Sequence, residues 1–289
     1  MPHGPTIPRR RLKAELRAAR EAAELTQEQV AESLSWSTSK VIRIEAGSVG
    51  LSITDLRALV DLYGVTGAEH LRELEELARL SRKRSWWSSI KDEEVSAQQR
   101  MLIGFEAEAT RLRHFHPMLV PGLLQTEAYA AAILRDCAIP PPTEESFHTR
   151  MDVRLTRQRD TMERDRPPRV SAILDEAVLH RPVGGSQTMR EQLQHLLSLA
   201  ERDTVDITVV PWRAAAHPGM VFGAFTILHF GETQDADVLY MERGSDDRLL
   251  SDDVDEIAKY STIMRRLEDA ALSAADSRAL IARVRDEMT

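Results

Sequence analysis

Residues 26–47, TQEQVAESLSWSTSKVIRIEAG, constrain the fold of this chain more than any other stretch, because they pack two helix starts and two helix stops into a short span. Thr26-Gln27-Glu28-Gln29 has the spacing of a capping box. The Thr26 hydroxyl can accept from the Gln29 backbone N–H while the Gln29 side chain reaches back to the Thr26 N–H. Val30, Ala31 and Leu34 then supply one buried face. Ser35-Trp36-Ser37 interrupts it, and Ser37 can cap a second helix whose inward positions are Val41 and Ile44. Gly47 ends that helix as the residue just past its cap. Two helices joined by so few residues meet at a steep angle, and a small residue, Ala31, suits the crossing.

Helical spacing continues on both sides. Leu12, Leu16 and Ala19 predict an earlier helix ending near Ala22–Glu24. Later helices are predicted at about Ile53 to Tyr63 and Ala68 to Ser85, the last with Leu71, Leu74 and Leu77 on one side. Residues 1–8 are expected to form a mobile arm, 9–80 an all-α five-helix domain, and 81–92 a junction containing Arg82-Lys83-Arg84 and Trp86-Trp87. From 93 to 289 the texture changes. Helical patterns at about 93–115, 125–136, 144–160 and 187–201 mix with strand-like runs at 170–174, 206–210, 224–230 and 237–241, rich in β-branched and aromatic residues. Two closing helices are predicted at about 252–272 and 276–288. The expectation is an α+β domain with a small, antiparallel sheet.

Composition narrows the setting. The single cysteine, Cys137, excludes an intramolecular disulfide framework and makes a reducing cytoplasm the expected compartment. No apolar run approaches the roughly 18 residues a spanning helix needs. The basic start, MPHGPTIPRRR, has no apolar stretch behind it and is not read as a signal peptide. Net charge is −8, but it is unevenly spread. Residues 1–85 carry fourteen Lys/Arg against twelve Asp/Glu, a net of +2, so the other 204 residues carry −10.

The 26–47 unit, together with the five-helix pattern around it, resembles the helix-turn-helix of the Xre family, the λ-repressor-like DNA-binding fold. That resemblance implies a regulator of double-stranded DNA, acting as a homodimer, whose second motif helix enters the major groove. Its polar outer face offers Ser37, Thr38, Ser39, Lys40 and Arg43. Thr38, Ser39 and Arg43 match positions through which the family touches base edges, and an arginine can bond bidentately to guanine O6 and N7. Gln27 matches the family's phosphate clamp, at a helix N-terminus already favourable to an anion. Arg20 and Glu45 match a pair that ties the first helix to the third and are read as structural. Three residues depart from the pattern. Ser35 stands where a glycine with positive φ is usual, Trp36 is bulky for a core position, and Ile42 sits on an outer face, able to meet a thymine methyl or simply be exposed.

The remainder carries a second resemblance. FEAEATRLRHFHPMLVPGLLQTEAYAAAIL (105–134), Arg157-Gln158, ILDEAVLHRPVGG (173–185), MREQLQHLL (189–197), ITVVPW (207–212) and FTILHF (225–230) are similar, in this order, to the C-terminal domain of antitoxin-like actinobacterial Xre regulators. This implies a domain that binds a small partner protein or a ligand and so modulates DNA binding. The alternative is an antitoxin-like protein that mainly sequesters its partner and autoregulates its operon. No catalytic constellation, cofactor motif or metal motif is found, so no enzyme is expected. Thr126 or Gln125 is expected to cap a helix, Asp175-Glu176 to cap the segment after a strand, and Cys137 to be a small buried hydrophobe. His114 and His116 lack the companions of a metal site, and His180, His195, His217 and His229 are expected in core or on surface.

Overall fold

The computed structural model describes residues 5–47, 49–91, 93–231, 236–243 and 247–288. The chain divides into two compact units, Met1–Ser89 and Ile90–Thr289. The first contains α1 (Thr6–Ala22), α2 (Gln27–Ser33), α3 (Thr38–Glu45), α4 (Ile53–Leu62) and α5 (Ala68–Ser81), followed by a 3₁₀ turn at Trp86–Ser89.

The caps foreseen in the sequence form. Thr26 and Gln29 exchange hydrogen bonds of 2.8 and 3.2 Å, and Ser37 accepts from the Lys40 N–H at 3.2 Å; a cap that was not foreseen, Ser52, accepts from the Asp55 N–H at 3.0 Å. The stops share one device. Glu24, Ser35 and Gly64 follow α1, α2 and α4 with φ of +57°, +56° and +68°. The next N–H, of Leu25, Trp36 or Val65, turns back to the carbonyl of Arg20, Ala31 or Val60, which is the Schellman arrangement. Between these ends Leu12, Leu16, Val30, Ala31, Val41 and Ile44 join Leu56, Leu59 and Leu74 in one core.

Two boundaries differ from expectation. Thr6–Pro8, assigned to a mobile arm, form the first turn of α1, with Ile7 and Pro8 buried. Met1–Gly4 lie outside the described residues. Helix α5 ends at Ser81 rather than Ser85, since apolar periodicity gives way to Arg82-Lys83-Arg84 and the Arg82 N–H closes a tight turn onto Arg79.

The second unit runs α6 (Ala97–Glu106), β1 (Arg111–His116), a 3₁₀ turn at Gly122–Leu124, α7 (Glu127–Asp136), α8 (Glu144–Met162), β2 (Arg169–Asp175), α9 (Glu176–His180), α10 (Ser186–Leu199), β3 (Val205–Val210), α11 (Gly219–Phe222), β4 (Phe225–His229), β5 (Val238–Arg243), β6 (Asp247–Ser251), α12 (Val254–Ala270) and α13 (Ala274–Glu287). The strands form one six-stranded sheet of order β3-β2-β1-β4-β5-β6. Strands β1–β2 and β2–β3 pair in parallel, and the other three pairs are antiparallel.

The sheet is therefore mixed and larger than the small antiparallel one expected. Chain geometry explains it: α7–α8 and α9–α10 carry the chain back to the end of the sheet where the previous strand began, and such helical crossovers make neighbouring strands parallel. The helix predicted over 93–115 is instead α6 followed by β1. Strand β6 was not foreseen either. Along β1, Phe115 joins Ile173, Val210, Phe225, Ile227 and Leu239 on the face that α12 covers with Ile257, Tyr260, Ile263, Met264 and Leu267. The opposite face carries His114 and His116, both buried.

Candidate nucleic-acid interface

Three helices position the candidate site. In α3, Val41, Ile44 and Glu45 are buried while Ser39, Ile42, Arg43 and Ala46 are exposed. Those four exposed positions stand at i, i+3, i+4 and i+7, a single stripe along the helix. Among the described residues Arg43 is held by its own helix alone, its Nε donating to the Ser39 carbonyl at 3.3 Å. Ile42 is 46% exposed and lies at the centre of the stripe. In the sequence it falls on an outer face but not among the residues that match the family's base contacts. The usable signal was its place on the outer side of a helix whose inner side was already filled by Val41 and Ile44.

Thr38 is half-buried at the start of α3, and Ser37 is spent as its cap. Lys40 does not stand free beside them. Its ammonium is 2.8 Å from Asp55 Oδ1 in the first turn of α4 and 3.5 Å from the centre of the Trp36 ring. That placement also explains Trp36: the ring packs half-buried against the core and receives a cation on its face. Lys40 thus clamps α3 to α4.

Behind the stripe lies a buried polar joint. Arg20 donates through Nε to Glu45 Oε1 at 2.7 Å and through Nη2 to Oε2 at 3.2 Å, while Nη1 holds the Leu25 carbonyl at 2.8 Å. Gln27 Nε2 donates to Glu45 Oε2 at 2.8 Å. The Glu45 hydrogen bond holds the Arg20 guanidinium above its ordinary value despite burial. Burial, helped by the Glu45 charge, pushes the Tyr63 hydroxyl up to about 12. One carboxylate therefore ties together the end of α1, the start of α2 and the end of α3. A side-chain amide has two N–H groups, and Glu45 occupies one of those on Gln27.

In the second unit most of the corresponding residues make caps and hydrogen bonds within the fold. Thr126 caps α7 and Asp175 caps α9. Glu176 accepts from the Trp212 N–H at 2.8 Å and lies 3.4 Å from His180, whose ring stacks on Trp212 at 4.4 Å. Arg157 makes a bidentate pair with buried Glu106 at 2.6 and 2.7 Å, and Gln158 donates to the carbonyls of Gly122 and Gln125. His114 Nδ1 sits 2.8 Å from Thr226 Oγ1. Desolvation, then the neighbouring His116, drives the His114 value well below the ordinary 6.5. Cys137 is exposed, not buried as expected, because it falls at the C-cap of α7, beyond the helix's packed face. Among the described residues no group of three His, Cys, Asp or Glu is placed to hold a metal, and no helix is long and apolar enough to cross a membrane.

Comparison with known proteins gives two matches. Residues 11–74 match a family described as a helix-turn-helix domain, and residues 99–283 match a family described as a domain of unknown function, DUF5753. No curated protein and no solved structure matches the chain.

Proposed function

Because the chain belongs to the DUF5753 family and carries a helix-turn-helix domain ahead of that region, we propose that it is a sequence-specific transcriptional regulator that reads double-stranded DNA with α3. The observation that carries this reading is the division of labour along α3. Its inner positions are buried and Lys40 is committed to α4, while Ser39, Ile42 and Arg43 form an outward stripe with no partner beyond their own helix among the described residues. A helix set in the major groove needs such a face. Arg43 reads guanine O6 and N7, Ile42 meets a thymine methyl, and Thr38 and Ser39 bond base edges near the helix start. Gln27 gives its second amide N–H to a phosphate, and Glu45 fixes its direction. Ser37 and Lys40 act by shaping and anchoring α3.

In this reading the regulator works in the cytoplasm as a homodimer, with recognition helices about 34 Å apart on successive turns of the duplex. The second unit receives a ligand or a small partner protein and changes DNA affinity in response. Its net charge opposes direct phosphate contact and so leaves it free for that role.

Site selection from random duplexes tests the assignment. Arg43→Ala should relax preference at one base position and cost about 1–3 kcal/mol on the preferred site. Gln27→Ala should weaken all sequences about equally. An unchanged selected motif with Arg43→Ala would show that the reading face lies elsewhere.

A further inference from the structure

The second unit has a groove of about 490 Å³ between α12 and the loop that carries α11. Ala216, Pro218, Phe222 and Ile263 supply its apolar surface, and Lys259 and Arg266 stand at its rim. Its volume falls in the range of small-molecule sites, and its make-up has their usual form of apolar walls with a few polar groups.

Three observations point to the kind of ligand. Lys259 and Arg266 are seven residues apart on one side of α12, about 10.5 Å along the axis, so both long side chains can reach a single anion. Neither makes an ion pair with a described residue, although the unit around them carries a net −10. The Lys259 ammonium rests 5.1 Å from the Phe222 ring, poised over the apolar wall instead of being neutralised by a carboxylate. The wall itself is preformed. At Gly219 a Cβ would lie 2.2 Å from Phe115 Cζ and 3.0 Å from His217 Nδ1, so only glycine lets the loop press this closely on the sheet. His217, 8% exposed, also lines the groove, and its Nδ1 is buried without a hydrogen-bond partner among the described residues.

We propose that this groove binds a small organic anion with an apolar body: a carboxylate held by Lys259 and Arg266, and an alkyl or aryl frame laid on Phe222, Ile263 and Pro218. The site deepens the reading of the second unit as a sensor and names the chemistry it senses. Binding is measured without DNA, so the two readings can fail separately.

Calorimetric titration of the full-length protein with octanoate, octanol and octyltrimethylammonium is the test. Octanoate should bind saturably, one per chain, with the neutral and cationic probes at least tenfold weaker. Lys259→Glu and Arg266→Glu should each weaken octanoate at least tenfold, and Arg278→Glu on α13 should leave it unchanged. All three residues are exposed, so their thermal midpoints should match the parent protein. Absence of saturable octanoate binding, equal affinity for the three probes, or charge reversals without effect would each overturn the site. If octanoate binds as stated but operator affinity stays the same, the groove stands and the sensor reading falls.

Discussion

At the residue scale, Ser35 shows how a local irregularity can be both visible in sequence and decided by structure. It occupies the left-handed position after α2, with φ +56°, where a β-carbon is strained, and the turn between α2 and α3 depends on it. The Trp36 N–H bond to Ala31, 2.8 Å long, keeps that conformation in place. Ser35→Gly should relieve more strain than it adds in unfolded-chain entropy, raising stability by about 0.5–1 kcal/mol. A thermal melt of the variant checks this, and an unchanged or lower midpoint would mean the serine is not strained. Glu45 belongs at this scale too. Its pairing with Arg20 was legible from the resemblance, but its third bond, to Gln27, was not, because nothing in sequence spacing says which amide will reach a buried carboxylate.

At the element scale, β1 is where sequence reading went furthest astray. Arg111-Leu112-Arg113-His114-Phe115-His116 is polar at most positions and lies mostly within the helical pattern at about 93–115, yet it forms a strand. Its polar side chains become tolerable in the middle of a sheet only through distant partners. Arg113 pairs with Glu268 of α12 at 2.7 Å, and His114 meets Thr226 of β4. The buried histidine has a consequence for acid stability. Its folded value is depressed below 6.5, so the unfolded chain takes up the proton more readily. The stability tied to neutral His114 is complete above pH 6.5 and is lost as pH falls through the depressed folded value. His116 and His195, also depressed by desolvation, add to the same trend. Urea denaturation from pH 7.5 downward should show falling stability of the second unit below that point. His114→Gln should flatten the slope, and an equal slope in parent and variant would show that other groups control it.

At the scale of the whole molecule, each unit carries its own core. Every member of the first unit's cluster lies between Leu12 and Ala78, while the sheet and its covering helix supply the second. Residues 1–89 made alone should therefore fold, with helical circular dichroism and one cooperative melt. A fragment that stays unfolded would mean its core is insufficient by itself. Charge follows the same division: a slightly basic first part carries the exposed α3 stripe proposed to face DNA, and an acidic second part carries the groove at Lys259 and Arg266.

The sequence by itself determined what depends on near neighbours along the chain: the caps at Thr26 and Ser37, the turn at Ser35, the inward Val41 and Ile44, and hence the helix pair with Ser39 and Arg43 outside. These are contacts within a few residues, and helical periodicity encodes them directly. Only the tertiary structure decided that Lys40 turns to Asp55, that β1 is a strand beside β2 and β4, that the sheet is mixed, and that loop and helix flank an open groove at Phe222 and Ile263. In each case the deciding partner lies 15 or more residues away, and local pattern holds no record of which distant group will satisfy a charge or complete a sheet.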